Sequence, residues 1–246
     1  MTLRITAFTL FPKMFDALLD EGVFSRGIKN QILSFDTVNP RDFATDHRKT
    51  VDGRPCGGGD GMVLLPSVCE QALDSVVTEA SKVIHVSPGG KVFDNHWARR
   101  LAEETRHLVF LCGRYAGFDE RFVTKRAHVE LSLGDFVLSG GEPAALCMMD
   151  AIARFVPGVL GNATSPQVDS FEDGLLEAPQ YTLPVEFQGQ KVPDVLFSGN
   201  HAEIARYRRR EQIRRTALQR PDLLHKLWEQ LSRAEQKWVE HLWRSF

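Results

Sequence analysis

Through Phe155 the sequence alternates β-branched or apolar runs with stretches of helical spacing, and this alternation restricts the chain to an α/β architecture on a largely parallel sheet. Strand character falls at Arg4 to Leu10, Ile32 to Val38, Lys82 to Val86, Leu108 to Cys112 and Val129 to Leu133. Between these runs, Met14 to Leu19, Ser67 to Ala80, Asn95 to Thr105 and Phe118 to Lys125 carry helical periodicity. Parallel neighbours require crossover connections, which puts helices on both faces of the sheet. Glu142 to Phe155 reads as a helix that is apolar nearly all round, so it belongs in a core or at a subunit interface.

From Val156 to about Leu183 the pattern turns loop-like, punctuated by Pro157, Gly158, Gly161, Pro166, Gly174 and Pro179. Loops of that length are usually disordered or functional. Beyond it, helices are expected over Asn200 to Leu218, from Pro221 at a first helical position, and from a Ser232 cap to Trp243. The expected organisation is an α/β domain over 1–160, a linker over 161–183 and a small all-α domain over 184–246.

An apolar content of 43% against 25% charged residues excludes a disordered chain. Four cysteines without a C-x-x-C pair point to reduced thiols. The N-terminal apolar run is broken by Pro12 and Lys13, and no stretch is long enough to span a bilayer, so a cytoplasmic protein with no membrane partner is expected. The net charge of −2 hides an asymmetry: His201 to Phe246 carries 11 Lys plus Arg against 6 Asp plus Glu, or +5, leaving −7 on residues 1 to 200. A basic segment on an acidic protein attracts polyanions.

Glycine clusters occur at Gly57 to Gly61, Pro88 to Gly90, Gly113 with Gly117, and Gly140 with Gly141. Any one is ordinarily a tight turn; three closely following strands fit the rule that ligands of open α/β sheets sit beyond the strands' carboxyl ends. There is no G-x-x-x-x-G-K-[ST] loop, and no G-x-G-x-x-G opens a helix after a strand, which disfavours a P-loop or an ordinary Rossmann enzyme. The eight histidines show no metal-ligand spacing. Asp169, near Glu172 and Asp173, reads equally as a solvated acidic loop or an Asx turn. Arg154, four residues after Asp150, reads as ordinary helix support. Seven arginines from Arg206 to Arg220, including Arg208, Arg209, Arg214 and Arg215, have only Glu211 between them. Guanidinium forks suit phosphates, so a nucleic acid is the expected partner.

Six ordered segments carry a resemblance: L-F-P-K-M-F (10–15), R-P-C-G-G-G-D-G-M (54–62), G-R-Y-A-G-F-D-E-R (113–121), S-L-G-D-F-V-L-S-G-G-E (132–142), D-S-F (169–171) and V-P-D-V-L-F-S-G-N-H (192–201). Together they resemble the bacterial tRNA (guanine-N1)-methyltransferase family, among the knotted SPOUT-type methyltransferases, over essentially the whole chain.

The resemblance implies a deep trefoil knot at the cofactor site, binding of S-adenosylmethionine as methyl donor, and methylation of N1 of guanosine at tRNA position 37. The family's cofactor pocket corresponds to Pro88, Gly113, Tyr115, Leu133, Gly134, Asp135, Phe136, Val137, Leu138, Gly140 and Gly141. Asp169 corresponds to its general base and Arg154 to the arginine that stabilises the reacting guanine, with the basic helices as the tRNA-binding domain. A homodimer with the active site between subunits, and a Mg2+ requirement, are implied as well; no motif marks a Mg2+ site. This sequence departs from the family at Ala116, where a glutamate is common, at Gly89 for glutamine, at the shifted Pro143, and at Gln180 and Leu183 for His and Arg. Two other functions remain open: a non-catalytic RNA-binding protein of the same fold, and a methyltransferase acting on another RNA nucleotide.

Overall fold

The computed structural model describes residues 2–161 and 169–244. They divide into two compact units, Met1–Ala163 and Thr164–Phe246. The linker expected over 161–183 lies partly outside the described residues.

The first unit is built on a five-stranded sheet of order β2-β1-β6-β5-β7, with strands β1 (Leu3–Phe8), β2 (Leu33–Val38), β5 (Ser81–Val92), β6 (His107–Cys112) and β7 (Val129–Ser132). Every pairing in it is parallel. All six residues of β6 are buried, which is why that strand reads as a continuous apolar run. Its side chains alternate between two cores. Leu108, Phe110 and Cys112 pack with α2 (Gly22–Lys29), α4 (Asn95–Glu104) and α6 (Glu142–Ala153). Val109 and Leu111 pack on the other face with α3 (Pro66–Asp74) and α5 (Glu120–Arg126).

Several elements differ from the sequence reading. A short helix α1 (Asp16–Asp20) is followed by α2, which was not expected. Helix α3 stops at Asp74 rather than Ala80: the Ser75 hydroxyl donates to the Ala72 carbonyl, and the β-branched Val76, Val77 and Thr78 follow. A two-residue pairing of β3 (Asp52–Gly53) with β4 (Val63–Leu64) closes the glycine-rich segment. Strand β5 runs on through Pro88 to Val92, and its register with β7 shifts between Val86 and Lys91. Gly90 permits this bulge, since a Cβ there would lie 2.5 Å from the Leu131 nitrogen.

The second unit contains helices α7 (His201–Gln219), α8 (Pro221–Lys226) and α9 (Arg233–Arg244), with a small hairpin of β8 (Glu186–Phe187) and β9 (Gln190–Lys191) that was not expected. Asn200 caps α7 by accepting from the Ala202 and Glu203 amides. Ser232 and Glu235 form a reciprocal capping box at the start of α9. The unit's core joins Ile213, Ala217, Leu224, Leu231 and Val239 to Leu175 of the expected linker. That segment is fastened by the Leu176 amide donating to Thr216 Oγ1 at 2.9 Å and by Arg215 donating to the Glu177 carbonyl at 2.8 Å.

Candidate functional site

The carboxyl ends of β5, β6 and β7 are adjacent in the sheet, and the loops leaving them enclose a cleft of about 380 Å³. Gly113, Tyr115 and Ala116 come from the loop after β6; Pro88 comes from the bulge in β5. The long loop after β7 supplies Leu133, Gly134, Phe136, Val137, Leu138, Gly140 and Gly141. Of the pocket residues expected from the sequence, only Asp135 is not part of the lining.

Backbone hydrogen bonds hold these loops together. The Gly141 amide donates to the Gly113 carbonyl at 2.9 Å, and Arg114 and Gly140 form an isolated bridge. The close approach requires glycine at 141, where a Cβ would stand 2.8 Å from the Cys112 Cα. Tyr115 takes a left-handed conformation, φ +60°, which turns the loop over the end of the sheet. The Ala116 amide donates to the Met62 carbonyl and the Leu64 amide to the Gly117 carbonyl, each at 2.9 Å. The glycine-rich 57–61 segment therefore leads into a brace behind the cleft and is absent from its lining.

A buried ion pair fixes the same loops. Glu142, the first residue of α6, is fully buried; its Oε2 lies 2.8 Å from Arg114 Nε and its Oε1 accepts from the Thr9 hydroxyl at 2.7 Å. Arg114 also donates to the Ser139 carbonyl at 3.2 Å and stacks over Phe11, 4.4 Å from the ring centre. Three motif segments, around Phe11, Arg114 and Glu142, thus share one network.

The cleft is apolar at its mouth and acidic at its charged positions. Phe136 and Val137 are 53% and 84% exposed, an uncovered apolar surface beside backbone polar groups, as ligand sites commonly present. The ionisable side chains with an acid or imidazole function in the lining are His85, Glu120 and Glu130. His85 Nδ1 lies 3.2 Å from Glu130 Oε1, off the line of a good hydrogen bond. Burial pulls the His85 pKa down, against the opposing pull of Glu130 and Glu120. The Cys112 thiol, wholly buried and near Glu142, is pushed well above its ordinary value and is no candidate nucleophile.

His85, Glu120 and Glu130 were missed from the sequence. One signal was present: His85 shares the strand face of Val83, so a polar residue stands on an inward face at a strand's carboxyl end.

Arg154 is the half-buried residue that closes α6. Asp169 belongs to the second unit, in the turn whose carbonyl accepts from the Glu172 amide. The expected RNA-binding arginines fall into two groups. Arg206 and Arg208 are exposed on α7, with only a 4.0 Å contact from Arg206 to Glu203. Arg209 is tied to Asp173 and Glu235, Arg214 to Glu211, and Arg215 to the Glu177 carbonyl. Among the described residues no cluster of three or more His, Cys, Asp or Glu side chains could hold a metal ion. No helix among them is long and apolar enough to cross a membrane.

Comparison with known proteins follows the same residues. Residues 3–226 match the family described as tRNA (Guanine-1)-methyltransferase TrmD. A tRNA (guanine-N(1)-)-methyltransferase of Burkholderia ambifaria (strain MC40-6) is 47% identical over 245 residues, covering 96% of this chain and 92% of that protein. A protein of the same name from Geobacter metallireducens is 49% identical over 226 residues, covering 91% and 92%. One from Burkholderia mallei (strain SAVP1) is 48% identical, covering 95% and 92%.

Proposed function

The chain belongs to the tRNA (guanine-N1)-methyltransferase family, and on that premise we propose that it methylates N1 of guanosine in tRNA from S-adenosylmethionine, at position 37 beside the anticodon. The observation that carries the reading is the cleft at the ends of β5, β6 and β7, whose exposed apolar lining and glycine-bearing turns suit a nucleoside-sized donor. When bound, S-adenosylmethionine supplies an electrophilic methyl group on a sulfonium.

The chain's own residues then have to make guanine N1 a nucleophile. N1 carries a proton at neutral pH, so a base must take it within hydrogen-bond reach; Asp169 takes that role. An ordinary aspartate, with a pKa of about 3.9, is weak for the task. Arg154 compensates by stabilising the negative charge that develops on O6 as N1 loses its proton. The proton ends on the Asp169 carboxylate and N1 takes the methyl group. The described residues offer no set fitted to Mg2+, and no step runs through it.

A homodimer completes this site, with the donor held by one subunit and the base approached by residues of the other. Exposed Phe136, Val137 and Leu138 support it, as does Cys147, left uncovered on the largely apolar α6. The loop after β7 returns across the loop after β6 and is bonded to it at Gly113 and Arg114, an arrangement compatible with a trefoil knot. The helical unit with exposed Arg206 and Arg208 serves the tRNA, and a cytoplasmic enzyme is the corresponding location.

The test is methyl incorporation into paired tRNA transcripts, one with guanosine 37 and one with it replaced. Incorporation into the first alone is expected. Equal incorporation into both would remove the position assignment, and none into either would leave an RNA-binding protein without turnover.

A further inference from the structure

Strands β5 and β7 pair in parallel with His85 opposite Glu130, and both side chains reach the cleft. Glu120, at the start of α5, lines the same cleft, which has no lysine or arginine among its lining residues. The cations that neighbour the lining residues in sequence are engaged elsewhere. Arg121 is held by Asp119 at 2.7 Å, Arg126 by Glu70 and Asp74, and Lys125 by Glu70. Arg114 is committed to Glu142, and Lys91, further along β5, lies 6.0 Å over the Trp97 ring. Burial keeps the His85 imidazole biased toward its neutral form, so it does not cancel the carboxylates near neutral pH. The cleft therefore keeps negative charge with no lysine or arginine in its lining, and a cleft lined by one sign of charge favours a ligand of the other.

We infer that Glu130, set opposite His85, is a specificity-determining residue that makes the cleft prefer the cationic sulfonium donor over the neutral thioether left after methyl transfer. The inference rests on the reading of this cleft as the donor site. Donor and product differ by one methyl group and one positive charge, and nearly all other contacts are common to both. Shape can contribute little to telling them apart; a carboxylate can, because it interacts with the charge that disappears in the reaction. Glu120 adds to the same field, more weakly because it is exposed and solvent screens it. The consequence is that the product, once formed, is held less firmly than the donor and is exchanged for it.

Calorimetric titration of the full chain with S-adenosylmethionine and separately with S-adenosylhomocysteine tests this without reading activity. Glu130→Gln is expected to weaken donor binding on the order of fivefold while leaving the product unchanged. Glu130→Asp should keep most of the preference, and Glu120→Gln should shift it in the same direction by less. In the unaltered protein, added salt should weaken the donor more than the product, a measurement that stands even if Glu130→Gln fails to fold. Equal weakening of both ligands by Glu130→Gln, or an equal salt effect on both, would overturn the inference and leave Glu130 a structural residue. Failure of the unaltered protein to bind either ligand would remove the donor-site reading itself, and the inference with it.

Discussion

Arg114 Nε lies 2.8 Å from Oε2 of Glu142, and that carboxylate is wholly buried at the first turn of α6. The pair joins the loop after β6 to the first turn of α6, just past the loop after β7 that it meets along the cleft. A buried pair of this kind adds little net stability against an apolar replacement, because both charges have been taken out of water. Losing one partner is costly, since the other remains buried and uncompensated.

Arg114→Leu should therefore destabilise the first unit by about 3–5 kcal/mol, and Arg114→Leu with Glu142→Leu should recover much of the loss. Urea unfolding of the three proteins measures it. A cost under about 1 kcal/mol for the single substitution would mean the pair behaves as a solvent-screened one.

His107 pins the amino end of the sheet: its ring nitrogens lie 2.8 Å from the Thr6 hydroxyl on β1 and 2.7 Å from the Ser81 hydroxyl on β5. Burial, with Arg4 nearby, lowers its pKa from the ordinary value. The neutral form is thus favoured in the folded state, so stability is full above the unfolded value of about 6.5 and falls as pH drops below it. Urea midpoints between neutral and mildly acidic pH should decline, and the decline should be shallower in His107→Gln. An identical slope in both proteins would assign the effect to other groups.

Gly141→Ala should open the cleft, because the new methyl meets the Cys112 Cα and the Gly113 nitrogen at 2.8 and 3.1 Å and backbone has to yield. We expect a stability loss of about 1–3 kcal/mol and at least a tenfold loss of donor affinity, on the order expected for overpacking. Gly57 has φ +88° and cannot serve, so Gly161→Ala, with nothing among the described residues within 4 Å, is the silent control. Unchanged affinity in Gly141→Ala would show that the 113–141 contact does not shape the site.

If Asp169 is the base, Asp169→Ala keeps donor binding and loses methyl transfer by about 10²- to 10⁴-fold. Single-turnover transfer measured beside calorimetry separates the two effects. Retained turnover would take Asp169 out of the mechanism.

The arginines of α7 should divide in solution as they do in the structure. Arg206→Ala and Arg208→Ala should each reduce the salt slope of tRNA binding by roughly one, with little change in stability. Arg209→Ala, which severs contacts to Asp173 and Glu235, should cost about 0.5–1 kcal/mol of stability, the scale of partly exposed pairs. Equal salt slopes in all three variants would refute this division.

Much of the first unit was legible because its signals are local. The apolar run of β6 and the helical periods of α4 and α5 follow from burial on both sheet faces; in the second unit the Ser232 cap was legible for the same reason. Short elements were not: α2 has only eight residues and opens on Gly22, and the β8–β9 hairpin pairs two residues a side. The end of α3 at Asp74 was missed because the apolar pattern continues past the point where β-branched residues cease to favour a helix. Leu175 looked like part of a structureless linker because nothing near it in sequence reveals that Ile213 and Leu224 bury it.

By itself the sequence determined the parallel α/β character, the glycine-bearing turns after the strands, the basic helices and the family, since each is written in residue type and short-range spacing. Only tertiary structure decided that Glu142 inside α6 neutralises Arg114, and that His85 stands opposite Glu130 in the cleft. Those pairings depend on strand order and register across dozens of residues, and the long-range packing that sets them leaves no periodic trace along the chain.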